Sequence, residues 1–350
     1  MNSYLDALDY KTLFEKIVGR SEVELLTDDV IKNLFGDSRI LIVGAGGTIG
    51  SALGRRLIDA NLQNVFFLDH DESSLHGLAL SLSNKAASHS NRCFIGDIRD
   101  VTSLEHAFQI INPEIVVHAA ALKHLVILER FPREGFLTNI LGSINLAEVS
   151  RRFNVSQFIN ISTDKAAQPT SVLGYTKKIA EIATEEVFQS TSIKQCSVRF
   201  GNVFASRGSV IETFIHQIKN DLPVTLTDVE VARFFMSRNE AANLVLASAS
   251  LDSSGTYIQN MGQEVLIIDV VNRLAEVIGK APKLEIIGLQ KGEKMHEELF
   301  DGPTSSTRFP SISRSIHTLK PGIIGEVKRY RPELNNESLE IMKELVRVYT

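Results

Sequence analysis

The stretch RILIVGAGGTIG, residues 39–50, restricts this chain more than any other. An apolar run of strand length enters Gly44, Ala45, Gly46, Gly47, Thr48, Ile49 and Gly50, and a helical pattern over SALGRRLIDA follows. Glycines at 44, 47 and 50 let the backbone turn tightly, approach a pyrophosphate and pack the helix close to the strand. The helix N-terminal amides and dipole then face phosphate. Glycine-rich turns also arise for purely structural reasons, so the context decides. Strand-like NVFFLD, helical ESSLHGLALSL, strand-like RCFIGD, helical VTSLEHAFQII and strand-like EIVVHAA alternate, and QFINIST and QCSVRFGNV continue the series. That order predicts an α/β fold: a doubly wound parallel sheet of the Rossmann type, with helices on both faces.

Around this core the chain divides into an N-terminal helical segment (1–37), the dinucleotide-binding domain (38–203) and a smaller substrate-binding lobe (204–350), some of whose elements return to the sheet. Leu25, Val30, Ile31 and Leu34 recur at helical spacing in the first segment. In the last, PVTLTD, GTYIQN and KLEIIGL read as short strands and VIETFIHQIKN, RNEAANLVLASAS and IDVVNRLAEVIG as helices, set over the sheet's carboxyl edge, where open α/β sheets bind ligands. DGPTSSTRFPSISRS reads as a loop, and NESLEIMKELVRV as a closing amphipathic helix.

Composition removes several function classes. The 350 residues carry a formal charge of −5, with no Lys/Arg run, which gives no support for a nucleic-acid surface. No window reaches 18 uninterrupted apolar residues, so no membrane span is expected. The first residues lack a signal peptide's apolar stretch. Both cysteines, Cys93 and Cys196, lie in strand-like runs, as suits buried free thiols in a reducing compartment, and the expected location is cytoplasmic. Without CxxC or HExxH, no structural metal is expected.

The cofactor can be read further. Asp69 ends the second strand 19 residues after Gly50, where a carboxylate accepts both ribose hydroxyls; otherwise it caps the next helix. The first reading favours NAD over NADP, since a 2′-phosphate would be repelled and His70, Asp71 and Glu72 supply no arginine. Asp97, closing the third strand, reaches the adenine edge or is a turn aspartate. Ile98, Ala119, Ala120 and Ala121 complete the expected cofactor lining.

In TDKAAQPTSVLGYTKK a helix carries Lys177. A tyrosine working with it must lie four residues earlier, and that position is Leu173. Tyr175 lies roughly 200° around a regular helix from Leu173 and is expected to face away from the cofactor.

The GxxGxxG spacing resembles the extended short-chain dehydrogenase/reductases. HAAALKHLVILERFP, TNILGSINLAE, ISTDKAAQPTSVLG, VRFGNVFASRGSVIETF and RFFMS resemble, more narrowly, the polysaccharide-biosynthesis nucleotide-sugar 4,6-dehydratases acting on UDP-N-acetylglucosamine. The likeness covers roughly residues 15 to 300. Larger members add membrane spans ahead of this domain, and the chain resembles a soluble short form. The resemblance implies Asp164 as acid for the departing 6-hydroxyl, Lys165 as carbon-5 base, Thr163 near the 4-hydroxyl and Lys177 on the nicotinamide ribose. It also implies Lys123 and His124 toward the substrate, Asn202, Arg207, Ser209 and Arg233 on sugar and diphosphate, and Glu293 on the nucleotide. The family pattern GLRPGEKLYEEL reads GLQKGEKMHEEL here, with Gln290 at the arginine's place and Lys291 at the proline's, which leaves room for a nucleotide other than UDP.

Asp164 and Lys165 reach one substrate only if the strand has already broken, because neighbours on an extended strand point to opposite faces. Desolvation there is expected to raise the aspartate's pKa and lower the lysine's. With no tyrosine at 173, Asp164 is also the expected base for the 4-hydroxyl. A nucleotide-sugar 4-epimerase or ketoreductase, and a non-catalytic dinucleotide-binding sensor, are the alternatives. Family members assemble, so a homo-oligomer is expected.

Overall fold

The computed structural model describes residues 9–83, 90–316, 320–330, 333 and 335–350. Its centre is β1 (Ile40–Val43), whose four residues are all buried. A continuous apolar run is what a parallel strand covered on both faces requires. Beside it lie β2 (Val65–Asp69) and β3 (Cys93–Ile95) on one side, and β4 (Ile115–His118), β5 (Gln157–Thr163) and β6 (Lys194–Phe200) on the other, all parallel. The chain thus reverses its direction of travel between β1 and β4, and the crevice at that switch point opens at the strands' carboxyl ends.

Three two-stranded pairs stand apart from this sheet. They join β7 (Asn202–Val203) to β10 (Phe235–Met236), β8 (Pro223–Leu226) to β13 (Lys283–Ile286), and β9 (Ala232–Arg233) to β12 (Val265–Leu266). GTYIQN does not belong with them: β11 (Gly255–Gln259) pairs in parallel with β6. DGPTSSTRFPSISRS is not a loop throughout. It supplies β14 (Thr304–Ser306) and β15 (Ile312–Ser315), which add antiparallel to β11 and complete nine strands in the order β14-β15-β11-β6-β5-β4-β1-β2-β3.

The helices distribute by their apolar faces. α1 (Tyr10–Val18) buries Phe14, Ile17 and Val18 in the small lobe's core, whereas α2 (Asp28–Phe35) buries Ile31 and Phe35 against the main one. Val30 and Leu34, which share its helical spacing, are exposed. α3 (Thr48–Asp59) and α4 (Glu72–Ser83) cover one sheet face; α5 (Val101–Ile111) covers the other. After α6 (Leu125–Arg130), a π-helical stretch, Phe136–Leu141, leads into α7 (Gly142–Arg152), which packs beside α8 (Val172–Phe188) on the α5 face. α9 (Val210–Lys219) belongs to the small lobe, while α10 (Arg238–Ala249), read as part of that lobe, packs on α3 and the main core. α11 (Ile267–Ile278) joins α1 and α9, and α12 (Ile323–Arg329) and α13 (Asn335–Tyr349) cover α8.

A buried ionic cluster ties the late strands to α8. Arg199 of β6 grips Glu181 of α8 in a fork, Nε to Oε1 2.9 Å and NH2 to Oε2 2.7 Å, and its NH1 and NH2 each lie 2.9 Å from an oxygen of Asp301. Lys178 pairs with the same Asp301, and Ser315 of β15 donates to it at 3.2 Å. Cys196 is buried, and burial pushes its thiol up to about 12; Cys93 is only half-buried. Arg199→Leu strands the buried Glu181 carboxylate and leaves Asp301 only Lys178, so urea unfolding is expected to show a loss of about 3–5 kcal/mol. A change below about 0.5 kcal/mol would show that the cluster does not carry stability.

Candidate active site

The glycine turn is built by close backbone packing. Gly44 adopts φ +81, and a Cβ there would lie 2.4 Å from the Ala120 amide nitrogen. One on Gly50 would lie 2.3 Å from the Gly44 carbonyl, and one on Gly46 2.4 Å from Ser74 Cβ in α4. Gly47 has the loosest surroundings of the four, meeting only the Gly44 carbonyl at 3.2 Å. It precedes α3 with no side-chain cap, so the Thr48 end of that helix presents its amides unclaimed, as a phosphate site needs. Ile49, in the first turn, packs against the main core.

Asp69 braces this turn. Its Oδ2 accepts from the Gly46 amide at 2.9 Å and its Oδ1 from the Asp71 amide at 3.1 Å. The capping bonds at α4 belong instead to Asp71, which accepts from the Ser73 amide at 3.0 Å and the Ser74 hydroxyl at 2.6 Å. His70 Nδ1 also stands 3.1 Å from Oδ1, and since a carboxylate offers about four lone-pair sites, Oδ2 can accept another donor.

The remaining cofactor residues divide. Asp97 lies beyond β3, and Arg99 chelates its carboxylate at 2.6–3.1 Å, which holds it below the usual carboxylate range. Ile98 is core: its side chain lies under Gly142, where a Cβ would approach to 2.7 Å, and its carbonyl accepts from Asn145. Ala119, Ala120 and Ala121 leave β4 at the switch point, with the Ala119 amide bonded to Val43.

β5 stops at Thr163, and Asp164–Ala166 form one 3₁₀ turn. The break occurs where both side chains must turn to one side. Asp164 Oδ1 collects three donors: the Thr163 hydroxyl at 2.7 Å, the Lys165 amide at 2.9 Å and Lys165 Nζ at 3.0 Å. Its Oδ2 is buried with no partner among the described residues. Lys165 Nζ also meets Glu297 Oε1 at 3.2 Å. Burial pulls this ammonium's pKa down, but Asp164 and Glu297 outweigh it and the net direction is up. That corrects the expectation of a depressed Lys165.

Lys177 is in the opposite situation. It is buried without a hydrogen bond among the described residues, and burial lowers its pKa to about 8 against the pull of Glu181. Leu173 and the half-buried Tyr175 both pack into the apolar cluster beneath α12 and α13.

On the substrate side, Arg233 is already committed: its NH2 lies 3.0 Å from Glu293 Oε1, its Nε 3.9 Å from Glu297, and its NH1 donates to the Ala232 and Met295 carbonyls. Glu293 also accepts from Thr227 and from the Gln290 amide. Arg207 departs from the sugar side. Its amide bonds Thr48 and its NH1 bonds Ser74, which stretches it across the glycine turn. Lys123 Nζ is 3.4 Å from the Ser206 hydroxyl, and burial lowers its pKa; burial, then Lys123, lower that of His124. His124 abuts Gly208, Asn202 sits in β7 beside β10, and the Ser209 hydroxyl is buried without a partner among the described residues. Glu297 was missed by sequence reasoning; its only signal was the four-residue spacing from Glu293.

Residues 40–316 match the family model for polysaccharide biosynthesis proteins. The chain belongs to that family. It is 38% identical over 300 residues to the capsular polysaccharide biosynthesis protein CapD of Staphylococcus aureus, covering 83% of this chain but only 49% of CapD, so it spans about half that relative's length. Among solved structures, Pen from Bacillus thuringiensis is 33% identical, with TM-score 0.70 over 76% of this chain and 84% of Pen. The UDP-glucose 4-epimerase of Thermus thermophilus, solved with NAD, is 25% identical, with TM-score 0.64 over 75% of this chain and 90% of the epimerase. The fold is that of an extended short-chain dehydrogenase/reductase. Among the described residues no helix is long and apolar enough to cross a membrane, and no cluster of three His, Cys, Asp or Glu side chains could hold a metal.

The Lys177 shift has a measurable sign. Between about pH 8 and the ordinary lysine range the unfolded chain binds a proton that the folded chain does not, so this residue makes stability rise with pH there. Below that window the buried charge is a standing cost. Lys177→Met is therefore expected to stabilise the nucleotide-free protein at pH 7 by up to about 3 kcal/mol in urea unfolding. A loss of stability would contradict an unpaired buried ammonium.

Proposed function

We propose that this protein is an NAD-dependent nucleotide-sugar 4,6-dehydratase, acting on UDP-N-acetylglucosamine and giving a 4-keto-6-deoxy sugar nucleotide for surface polysaccharide. The observation that carries the reading is the buried Asp164–Lys165 pair on a turn at the carboxyl end of β5, with an uncommitted oxygen on Asp164. NAD fits the glycine turn with its uncapped helix and the unfilled acceptor position on Asp69 Oδ2, and the Thermus epimerase was solved with that cofactor.

When bound, NAD supplies the acceptor for the carbon-4 hydride and returns it at carbon 6. The protein's own groups move the protons. Asp164 Oδ2 takes the 4-hydroxyl proton, directly or through a water, as the carbonyl forms. Lys165, once it has released its proton to solvent, takes the carbon-5 proton, now acidic beside that carbonyl, and gives one back to carbon 5 as the hydride arrives at carbon 6. Asp164 returns a proton to the 6-oxygen as the carbon–oxygen bond breaks and water leaves. Lys177 adds positive potential in a dry site, where a charge acts more strongly than in water. Thr163 orients the Asp164 carboxylate through their 2.7 Å hydrogen bond.

A 4-epimerase is the second reading, supported by the Thermus likeness. It needs hydride removal and return at carbon 4 but has no task for a second proton-transfer group at carbon 5. Incubation with UDP-N-acetylglucosamine separates the two: a product lighter by about 18 mass units, one water, is expected, while unchanged mass with an epimeric sugar would overturn the dehydratase. Asp164→Asn is expected to lower turnover by about a hundredfold or more with NAD binding intact. A rise of more than about tenfold in Leu173→Tyr would contradict Asp164 as the 4-hydroxyl base.

A further inference from the structure

Among the described residues three charged groups face the Lys165 ammonium. Asp164 Oδ1 lies 3.0 Å away on the same turn, Glu297 Oε1 lies 3.2 Å away on the 288–299 segment, and the Arg233 guanidinium of β9 stands behind Glu297 at 3.9 Å. Glu293 takes no part, being occupied by Arg233, Thr227 and the Gln290 amide. Glu297 is 7% exposed, and its second oxygen is buried without a partner among the described residues. A carboxylate that deep persists only where a cation matches it. Among the described residues the two that pair with it are Lys165 and Arg233, and Lys165 is the nearer.

We propose that Glu297 is a positioning residue for Lys165, holding its ammonium together with Asp164 and so setting the pH at which this lysine becomes a base. The proposal rests on reading Lys165 as the carbon-5 base. Asp164 engages the amine from its own turn, whereas Glu297 arrives from a segment more than a hundred residues away, so its contact exists only while that segment is docked. The docking contacts are built: Thr170 donates to the Gly292 carbonyl, Gln168 bonds Glu298, and Lys291 lies 3.4 Å from Glu129, which accepts from the first amide of α8. A Cβ on Gly292 would come within 2.8 Å of Ser171 Cβ, so the segment rests directly on the entrance to α8.

The consequence is a lysine whose basicity reports closure of the site. With Glu297 in place, two carboxylates hold Lys165 charged despite burial. With its charge removed, burial and Arg233 act against Asp164 alone, and the ammonium loses its proton at lower pH. Substrate groups that draw Glu297 toward Arg233 would act in the same direction, releasing the amine when the sugar is present.

Competitive acetylation of the NAD-loaded full chain, followed by mass spectrometry from about pH 6 to about pH 11, reads the protonation midpoint of Lys165 without turnover, with exposed lysines as internal references. In Glu297→Gln the midpoint is expected to fall by about one unit, making Lys165 roughly tenfold more reactive near neutrality, and the acid limb of kcat/KM should move the same way. Glu297→Asp should give a smaller shift in the same direction, and it carries the test if the glutamine variant does not fold. An unchanged or raised midpoint overturns the proposal, as does an activity loss with both midpoint and acid limb unmoved, which a merely structural role would give. Turnover retained in Lys165→Ala would instead defeat the base reading, and the labelling result would still decide whether Glu297 holds the lysine.

Discussion

The site depends on one backbone contact. The first turn of α8 rests on the Lys165 carbonyl so closely that a Cβ on Gly174 would lie 2.5 Å from that oxygen. No side chain fits there without moving the turn or the helix. The helix entrance is fixed on two further sides: the Ser171 hydroxyl caps the Gly174 amide at 3.1 Å, and Glu129 takes the Val172 amide at 2.7 Å. With the entrance fixed, Lys177 follows on the same face one turn later, and β5 must give way at Thr163. Asp164 and Lys165 therefore hold their turn, and Lys177 its place on α8, through packing as well as charge.

The lysines on the turn and on the helix that it supports sit under opposite conditions. Lys165 has two carboxylates against it and is held charged; Lys177 has only the distant pull of Glu181, whose carboxylate Arg199 already grips. Groups of one kind whose environments push them apart are how a site divides proton-transfer roles. The division reaches to the sheet edge, because Asp301, next to β14, completes the cluster around Arg199 and anchors Lys178 beside Lys177. The strands missed in the 301–315 segment thus support the electrostatics under α8.

The parts of this arrangement that are local were legible in the sequence. The glycine turn, the alternation around β1 and the break after Thr163 each follow from a few adjacent residues, the break because Asp164 and Lys165 could not share a target from an extended strand. What was hidden depends on distant partners. TSS and ISRS carry too little apolar character to announce strands, and they become β14 and β15 only by pairing beside β11. The direction of the Lys165 shift could not be read without Glu297, and Arg207 reads as a substrate residue until the chain brings it over Thr48 and Ser74. The Arg99 grip on Asp97 is a local pairing, two residues apart.

If the groups at the end of β5 move a proton at carbon 5 while the hydride travels within one sugar, turnover of UDP-N-acetylglucosamine in deuterium oxide should show it directly by proton NMR. One solvent deuterium is predicted at carbon 5 and, at carbon 6, a hydrogen delivered from carbon 4 without exchange. A product free of solvent deuterium, or one labelled at carbon 6 from water, would contradict that assignment.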